Sequence, residues 1–424
     1  MHTGDTYEVA DLALAAAGGR RIAWAERAMP ALSSVRARFV AERPLDGQRV
    51  AACLQVTAET AVLLSTLVAG GAQVRLAASN PLSTQDDTAA ALVADHGVGV
   101  YARSGVDTET YRRHLSGALD LAPTLVIDEG GDLVNTLHTD RADLAAAVRA
   151  GCESTASGVL RARQMHREGV LRFPMVAVDA TPTRRLVDNR YGTGQSTVDG
   201  IVRATNLLLA GRTVVVAGYG QCGTGIAERA RGLGARVLVT EVDPLRALDA
   251  TLQGYQVLPM AQAARCGEVF VTATGNRDVL RAEHFEVMPD GAVLANAGHF
   301  DVEIDIPALA DLAVERRIGE RAYVDEYVLA DGRRLQLLAE GRVVNLTAAE
   351  GNPPSVMDLA FAGQALTAAW LATGELLPTG VHPVPAELDR QVADLRLAAS
   401  DIHLDTLTDS QRAYLSSWRS ADPG

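Results

Sequence analysis

The 424-residue chain contains no lysine; all 39 of its basic residues are arginine. No side-chain amine is therefore available as a proton acceptor. A guanidinium, with a pKa above about 12, stays charged at neutral pH and cannot take that role. Cysteine is scarce as well. The four present, Cys53, Cys152, Cys222 and Cys266, show no CxxC or zinc-type spacing, which points to reduced thiols in a cytoplasmic protein. The nine histidines form no HExxH or similar pattern, so no metal site is expected. No apolar run approaches a membrane span, and the opening MHTGDTYEVADLALAAAGG lacks a basic leader region. Positive charge is in deficit: 39 basic against 52 acidic residues leave a net charge of −13. No segment gathers arginine along a phosphate backbone, so neither nucleic acid nor membrane is an expected partner.

What remains is an ordinary globular composition, 48% hydrophobic and 21% charged, in a chain long enough for two or three domains. The first third alternates strand and helix. RVAACLQV, AQVRLAAS, GVYARS and TLVIDEGGD read as strands, with helical AETAVLLSTLVAGG, TQDDTAAALVADHG and TYRRHLSGALDLA between them. That order predicts a parallel sheet covered by helices on both faces, with ligands at the carboxyl ends of the strands. Polar groups stand at three of those exits: Gln55-Val56-Thr57, Ser79-Asn80 and Asp128-Glu129.

The middle carries the strongest signal. RTVVVAGYGQCGTGIAERARGLGARVLVTEVDP is strand, glycine turn, helix and strand, and an acid closes it. Gly218, Gly220 and Gly223 form GxGxxG, which suits a tight turn, a close pyrophosphate and close helix packing. The following helix aims its first amides at phosphate. Glu241, 18 residues after Gly223, is placed to accept from the ribose hydroxyls, which favours NAD over NADP. Further strands at EVFVTAT and AVLANAG lead to Asn296-Ala297-Gly298-His299 at the crevice edge.

Several stretches in the same order resemble the S-adenosylhomocysteine hydrolase family. They include SNPLSTQDDTAAAL, DEGGD, DNRYGTGQSTVDGI, VVAGYGQCGTG, TEVDP, NAGHFDVEID, LLAEGRVVNL and TGVHP, collinear over nearly the whole chain. The resemblance implies an α/β fold in which a Rossmann NAD-binding domain is inserted in a second α/β substrate domain with a parallel sheet, followed by a C-terminal tail. The expected boundaries are 1–185 completed by 353–390 for the substrate domain, 186–352 for the NAD domain, and 391–424 for the tail. A homo-oligomer, dimer or tetramer, is implied too. The family oxidises a nucleoside 3′-hydroxyl, removes the acidified C4′ proton, expels the 5′ substituent, adds water and reduces the ketone again.

Carried over by the resemblance, the NAD contacts fall on Thr155, Ser157, Gly218, Gly220, Gln221, Cys222, Gly223, Thr224, Gly225, Glu241, Ala297, Gly298, His299 and Asn345. Arg246 replaces a family asparagine. On the substrate side Thr57, Glu59, Asp188 and Asn189 match, and Glu129 replaces an aspartate. Ser154 stands at a ribose-gripping glutamate, with Glu153 beside it. The family's catalytic lysine falls at Arg184, its 5′-side histidine at Gln55, and a second histidine at Asn352. A C-terminal lysine and tyrosine of some members are absent from the ending SSWRSADPG. The catalytic candidates are therefore Asp188 as base, helped by Asn189, with Arg184, Gln55 and His299. The departures suggest a changed 5′ step and an NAD-dependent dehydratase or lyase that gives an unsaturated nucleoside. The runner-up is a hydrolase acting on S-adenosylhomocysteine, and a non-catalytic NAD-binding regulator is the alternative of another class.

Overall fold

Runs such as Arg49–Leu54 and Thr213–Ala217 are short, rich in small and β-branched residues, and buried almost throughout. Strands of that kind suit the middle of a parallel sheet, where both faces are covered. In the computed structural model, which describes residues 7–418, they belong to two separate sheets.

The first sheet contains β1 (Arg49–Leu54), β2 (Gln73–Ala78), β3 (Gly99–Tyr101), β4 (Leu125–Asp128), β5 (Ala150–Glu153), β6 (Met175–Ala177) and β15 (Val381–Pro383). They lie in the order β15-β6-β5-β4-β1-β2-β3, all parallel. Its two faces carry separate apolar clusters, one around Leu32, Phe39, Leu64 and Phe361, the other around Leu115, Leu137 and Phe173. The sequence reading missed β5, β6 and β15, each only three or four residues long.

The second sheet contains β7 (Thr213–Ala217), β8 (Arg236–Thr240), β9 (Gln256–Val257), β10 (Val269–Thr272), β11 (Ala292–Asn296), β12 (Ala313–Arg321), β13 (Val324–Leu329) and β14 (Arg334–Leu338). Its parallel part runs β9-β8-β7-β10-β11-β14, the strand order of a dinucleotide-binding fold. The antiparallel β12–β13 hairpin, also not foreseen, extends the edge at β14. β12 is exposed along nearly its whole length, and Glu315, Arg316, Arg317, Glu320 and Arg321 keep this open edge charged.

The chain leaves the first sheet after β6 and builds the second. It then returns through the helix Pro354–Thr373 to add β15 beside β6. A buried carboxylate anchors the return helix to the first sheet's domain. Asp358 on the return helix accepts from the backbone N–H of Ala31 (3.1 Å) and Leu32 (2.8 Å), capping the helix Pro30–Glu42. The tail includes the exposed helix Asp409–Leu415; of the ending SSWRSADPG, residues 419–424 lie outside the described residues, as do residues 1–6. Among the described residues no helix is long and apolar enough to cross a membrane.

Candidate active site

Each sheet has one place where strand order reverses, and ligands collect at the strand ends there. In the first sheet it lies between β1 and β4, whose exits supply Gln55 and Glu129. In the second it lies between β7 and β10, whose exits supply Gly218 and Thr274. A cleft of about 340 Å³ opens between the two sheets, lined by Gln55, Thr57, Glu59 and Glu129 on one side and Thr274, Ala297, Gly298 and His299 on the other. That volume suits a small-molecule site.

The floor of the cleft is the segment connecting the sheets. Arg184–Gly192 winds as a π-helix, a geometry found mostly at functional sites. It sets Arg184 Nε 3.2 Å from Asp188 Oδ2, with both side chains at most 10% exposed. Asn352, from the loop before the return helix, donates its Nδ2–H to Asp188 Oδ1. Glycine at position 192 leaves room for this contact, since a Cβ there would lie 2.7 Å from Val356 Cγ1 and 2.9 Å from the Asn352 amide. Arg184 Nη1 is buried without a hydrogen-bond partner among the described residues. Asp179, at the exit of β6, also faces the cleft. Burial pushes its carboxyl above the usual range, opposed by the Arg184 charge.

Glu129 holds the opposite wall. Its Oε2 accepts from Gln55 N (3.0 Å) and Ser79 Oγ (3.2 Å). The Ser83 hydroxyl donates to Gln55 Oε1. Thr57 caps the helix Ala58–Ala69, and Glu59 sits in its first turn, where burial raises its carboxyl pKa. His299 crosses from the second sheet to this wall: a Cβ on Gly130 would lie 2.6 Å from its Nε2. Burial lowers its pKa, with Glu129 and Asp132 pulling the other way, so the imidazole is neutral at neutral pH.

On the cofactor side the residues present fit NAD. The helix Gln221–Gly232 starts directly after Gly220, so the first amides, from Gln221 onward, have no earlier turn to bond. A Cβ at Gly223 would strike the Gly218 carbonyl at 1.9 Å, which explains why this spacing of glycines is required. The face of Gly220 is open, with the Arg246 guanidinium 3.5 Å away as its nearest neighbour. Gly225 packs on the backbone of Arg190, joining this helix to the π-helix. Thr155, Ser157, Cys222, Ala297, Gly298 and Asn345 line the cleft itself, and Asn345 Oδ1 is a buried acceptor without a partner among the described residues. Glu241 closes β8, its carboxylate accepting from Tyr219 N (2.7 Å), Val242 N (2.6 Å) and Asp243 N (3.0 Å). Glu241→Ala should weaken NAD binding by about 1–3 kcal/mol, because ribose hydroxyls lose their acceptor. Titration of the cofactor-stripped protein checks it, and unchanged affinity would remove this acid from the ribose site.

The structure thus brings Gln55, Thr57, Glu59, Glu129, Ser154, Arg184, Asp188, Asn189, His299 and Asn352 to one cleft, with Gly218, Gly220, Gln221, Gly223, Thr224 and Gly225 in the adjoining turn. Glu153 requires correction as a ribose contact. It is 1% exposed and turned inward, with Oε1 accepting from Gly130 N, Thr155 N and Thr155 Oγ1. Asn352, expected on the substrate side, lines the cleft and also bonds Asp188. Sequence reasoning missed Asp179, Thr274, Glu303 and Glu350, all in the lining. The strand-exit rule finds Asp179 and Thr274 once β6 and β10 are bounded correctly. Glu303 shapes the β10 exit by accepting from Thr274 N, Thr274 Oγ1 and Gly275 N.

Residues 6–151 match the S-adenosyl-L-homocysteine hydrolase family, and residues 189–351 match the S-adenosyl-L-homocysteine hydrolase NAD binding domain. Adenosylhomocysteinase of Aquifex aeolicus is 56% identical over 413 residues, covering 97% of this chain and 99% of the relative. Adenosylhomocysteinase of Gloeobacter violaceus is 55% identical over 414 residues, covering 97% and 96%. S-inosyl-L-homocysteine hydrolase of Methanopyrus kandleri is 51% identical over 413 residues, covering 97% of each. The expectation of a dehydratase or lyase is overturned by these relatives, which are hydrolases by name and similar from end to end. With a family match in both sheets and this identity along the whole length, the chain belongs to the S-adenosyl-L-homocysteine hydrolase family, with that family's NAD-binding domain.

Proposed function

We propose that the protein hydrolyses S-adenosylhomocysteine to adenosine and homocysteine, with Arg184, Gln55 and Asn352 in the positions where the resemblance places a lysine and two histidines. The observation that carries this reading is the single cleft in which Asp188, paired with Arg184 and Asn352, faces Glu129 and His299. The glycine turn at 218–225 and Asn345 would hold NAD, which when bound would supply reversible hydride chemistry at the carbon bearing the 3′-hydroxyl.

The side chains divide the remaining work. Asp188 accepts the C4′ proton, which a neighbouring ketone makes acidic. The free Nη1–H of Arg184 donates to the 3′ oxygen as negative charge collects there. Thr57 and Glu59 bound the base end of the cleft. Gln55 hydrogen-bonds at the 5′ position but cannot transfer a proton as an imidazolium does. That suits departure of the thioether sulfur as thiolate, while the water that then adds at C5′ must pass its proton to a group other than Gln55 or to solvent. A thiol with a pKa of about 8.5 departs readily as thiolate, whereas hydroxide, the anion of water with a pKa of about 15.7, needs an acid.

Purified protein should release free thiol from S-adenosylhomocysteine, read with a thiol-reactive chromophore, and adenosine, read by mass spectrometry. S-inosylhomocysteine belongs in the same assay, given the Methanopyrus relative. No thiol from either compound would overturn the proposal. We also infer a homo-oligomer, because Leu245, Leu248 and Leu252 expose an apolar face of the helix Pro244–Leu252; sedimentation tests it. A cytoplasmic setting is supported by four cysteines that are all free.

A further inference from the structure

Behind Asn352 lies a residue outside the cleft lining. Ser196, on the helix Thr193–Thr205, is 2% exposed. Its hydroxyl is 2.8 Å from Asn352 Oδ1 and 2.9 Å from the Gly192 carbonyl, and Asn345 Nδ2 donates to it at 3.0 Å. The Thr193 carbonyl also lies 3.5 Å from this hydroxyl, so one proton serves three acceptors. The carboxylate decides where it goes. An ionised Asp188 is acceptor-only, so Asn352 must present its NH₂ to Asp188 and its carbonyl to Ser196. That carbonyl would face a bare lone pair unless the Ser196 proton points at it. The polarity of the whole chain is then determined: Asn345 to Ser196, Ser196 to Asn352, and Asn352 to Asp188.

We propose that Ser196 is a positioning residue for the reaction, holding the Asn352 amide in the one orientation that donates to Asp188. The inference rests on the reading of Asp188 as proton acceptor. The other charged and titratable groups around Asp188 are Arg184 on its own helix, Asp179 at the β6 exit and the Cys222 thiol on the glycine-turn helix. None of them contacts the Asn352 carbonyl in the structure, so among the described residues Ser196 is the group that supports, from the carbonyl side, the orientation Asp188 requires.

The test is a double-mutant cycle on the full-length protein with its NAD. Ser196→Ala should lower kcat about tenfold with KM nearly unchanged. The acid limb of the kcat profile should move to higher pH by roughly half to one unit, because a carboxylate with fewer donors binds its proton more tightly. Ser196→Thr, which keeps the hydroxyl, should restore both. Asn352→Ala should shift the limb the same way, and adding Ser196→Ala to it should change nothing further. NAD content and Tm, measured for every variant, show whether the fold and the cofactor site survive. Additive effects, or an unmoved acid limb in Ser196→Ala, would overturn the positioning role. Asp188→Asn with its rate and acid limb intact would instead overturn the assignment of Asp188, so the two failures are distinguishable.

Discussion

Asp188→Asn should lower hydrolysis of S-adenosylhomocysteine by about 10²–10⁴-fold, the usual contribution of a positioned base. The substitution keeps the size of the side chain and an oxygen for Asn352 to bond, but it removes the proton acceptor and turns an NH₂ toward Arg184. The informative measurement is exchange at carbon rather than turnover alone. Wild-type protein incubated with adenosine in deuterated solvent should place deuterium at C4′, detectable by mass spectrometry, and the variant should not. NADH should still form on adding adenosine if a different group takes the hydroxyl proton. Wild-type levels of C4′ exchange in the variant would mean that another group is the base.

The second large effect belongs to Arg184. Arg184→Ala leaves the carboxylates of Asp179 and Asp188 on one floor without their cation, and breaking the buried Arg184–Asp188 pair costs about 3–5 kcal/mol. Thermal unfolding should register it. Arg184→Lys keeps the charge and should recover most of that stability, but it loses the planar fork that leaves Nη1 free while Nε pairs with Asp188. Its activity should therefore remain roughly 10²–10³-fold below wild type, as for a removed oxyanion donor. A lysine variant as active as wild type would show that charge alone suffices. Normal turnover in the alanine variant would make the arginine a bystander.

The parts of this site that could be read from sequence are those governed by local geometry. The glycine spacing at 218, 220 and 223 is forced by sterics within one turn, so it announces itself. Gln55 and Glu129 follow from the strand-exit rule because the apolar runs of β1 and β4 break off directly before polar residues. Asp179 obeys the same rule and was missed, since β6 is only Met175–Ala177 and exists because β5 and β15 flank it. Ser196 could not be found at all: its partners Asn345 and Asn352 lie 149 and 156 positions away. Glu153 misled for a related reason, as nothing local shows that the Gly130 and Thr155 amides turn it inward. Reading the replaced histidine at Gln55 as a changed reaction gave too little weight to the leaving group, since a thiolate needs no acid that an amide fails to supply.

The contact of His299 with Gly130 has a mechanical consequence. The two walls touch there, and a few ångströms away Arg161 lies over the Phe300 ring at 4.4 Å while bonding the Gly130 carbonyl at 2.8 Å. Parting this seam to admit a nucleoside would take an opening stroke that drags one sheet and its helices through solvent. Such strokes take microseconds to milliseconds. Once chemistry is faster than the stroke, turnover is governed by hydrodynamic friction, and adding glycerol or sucrose slows the enzyme in proportion to viscosity without altering a single reacting group.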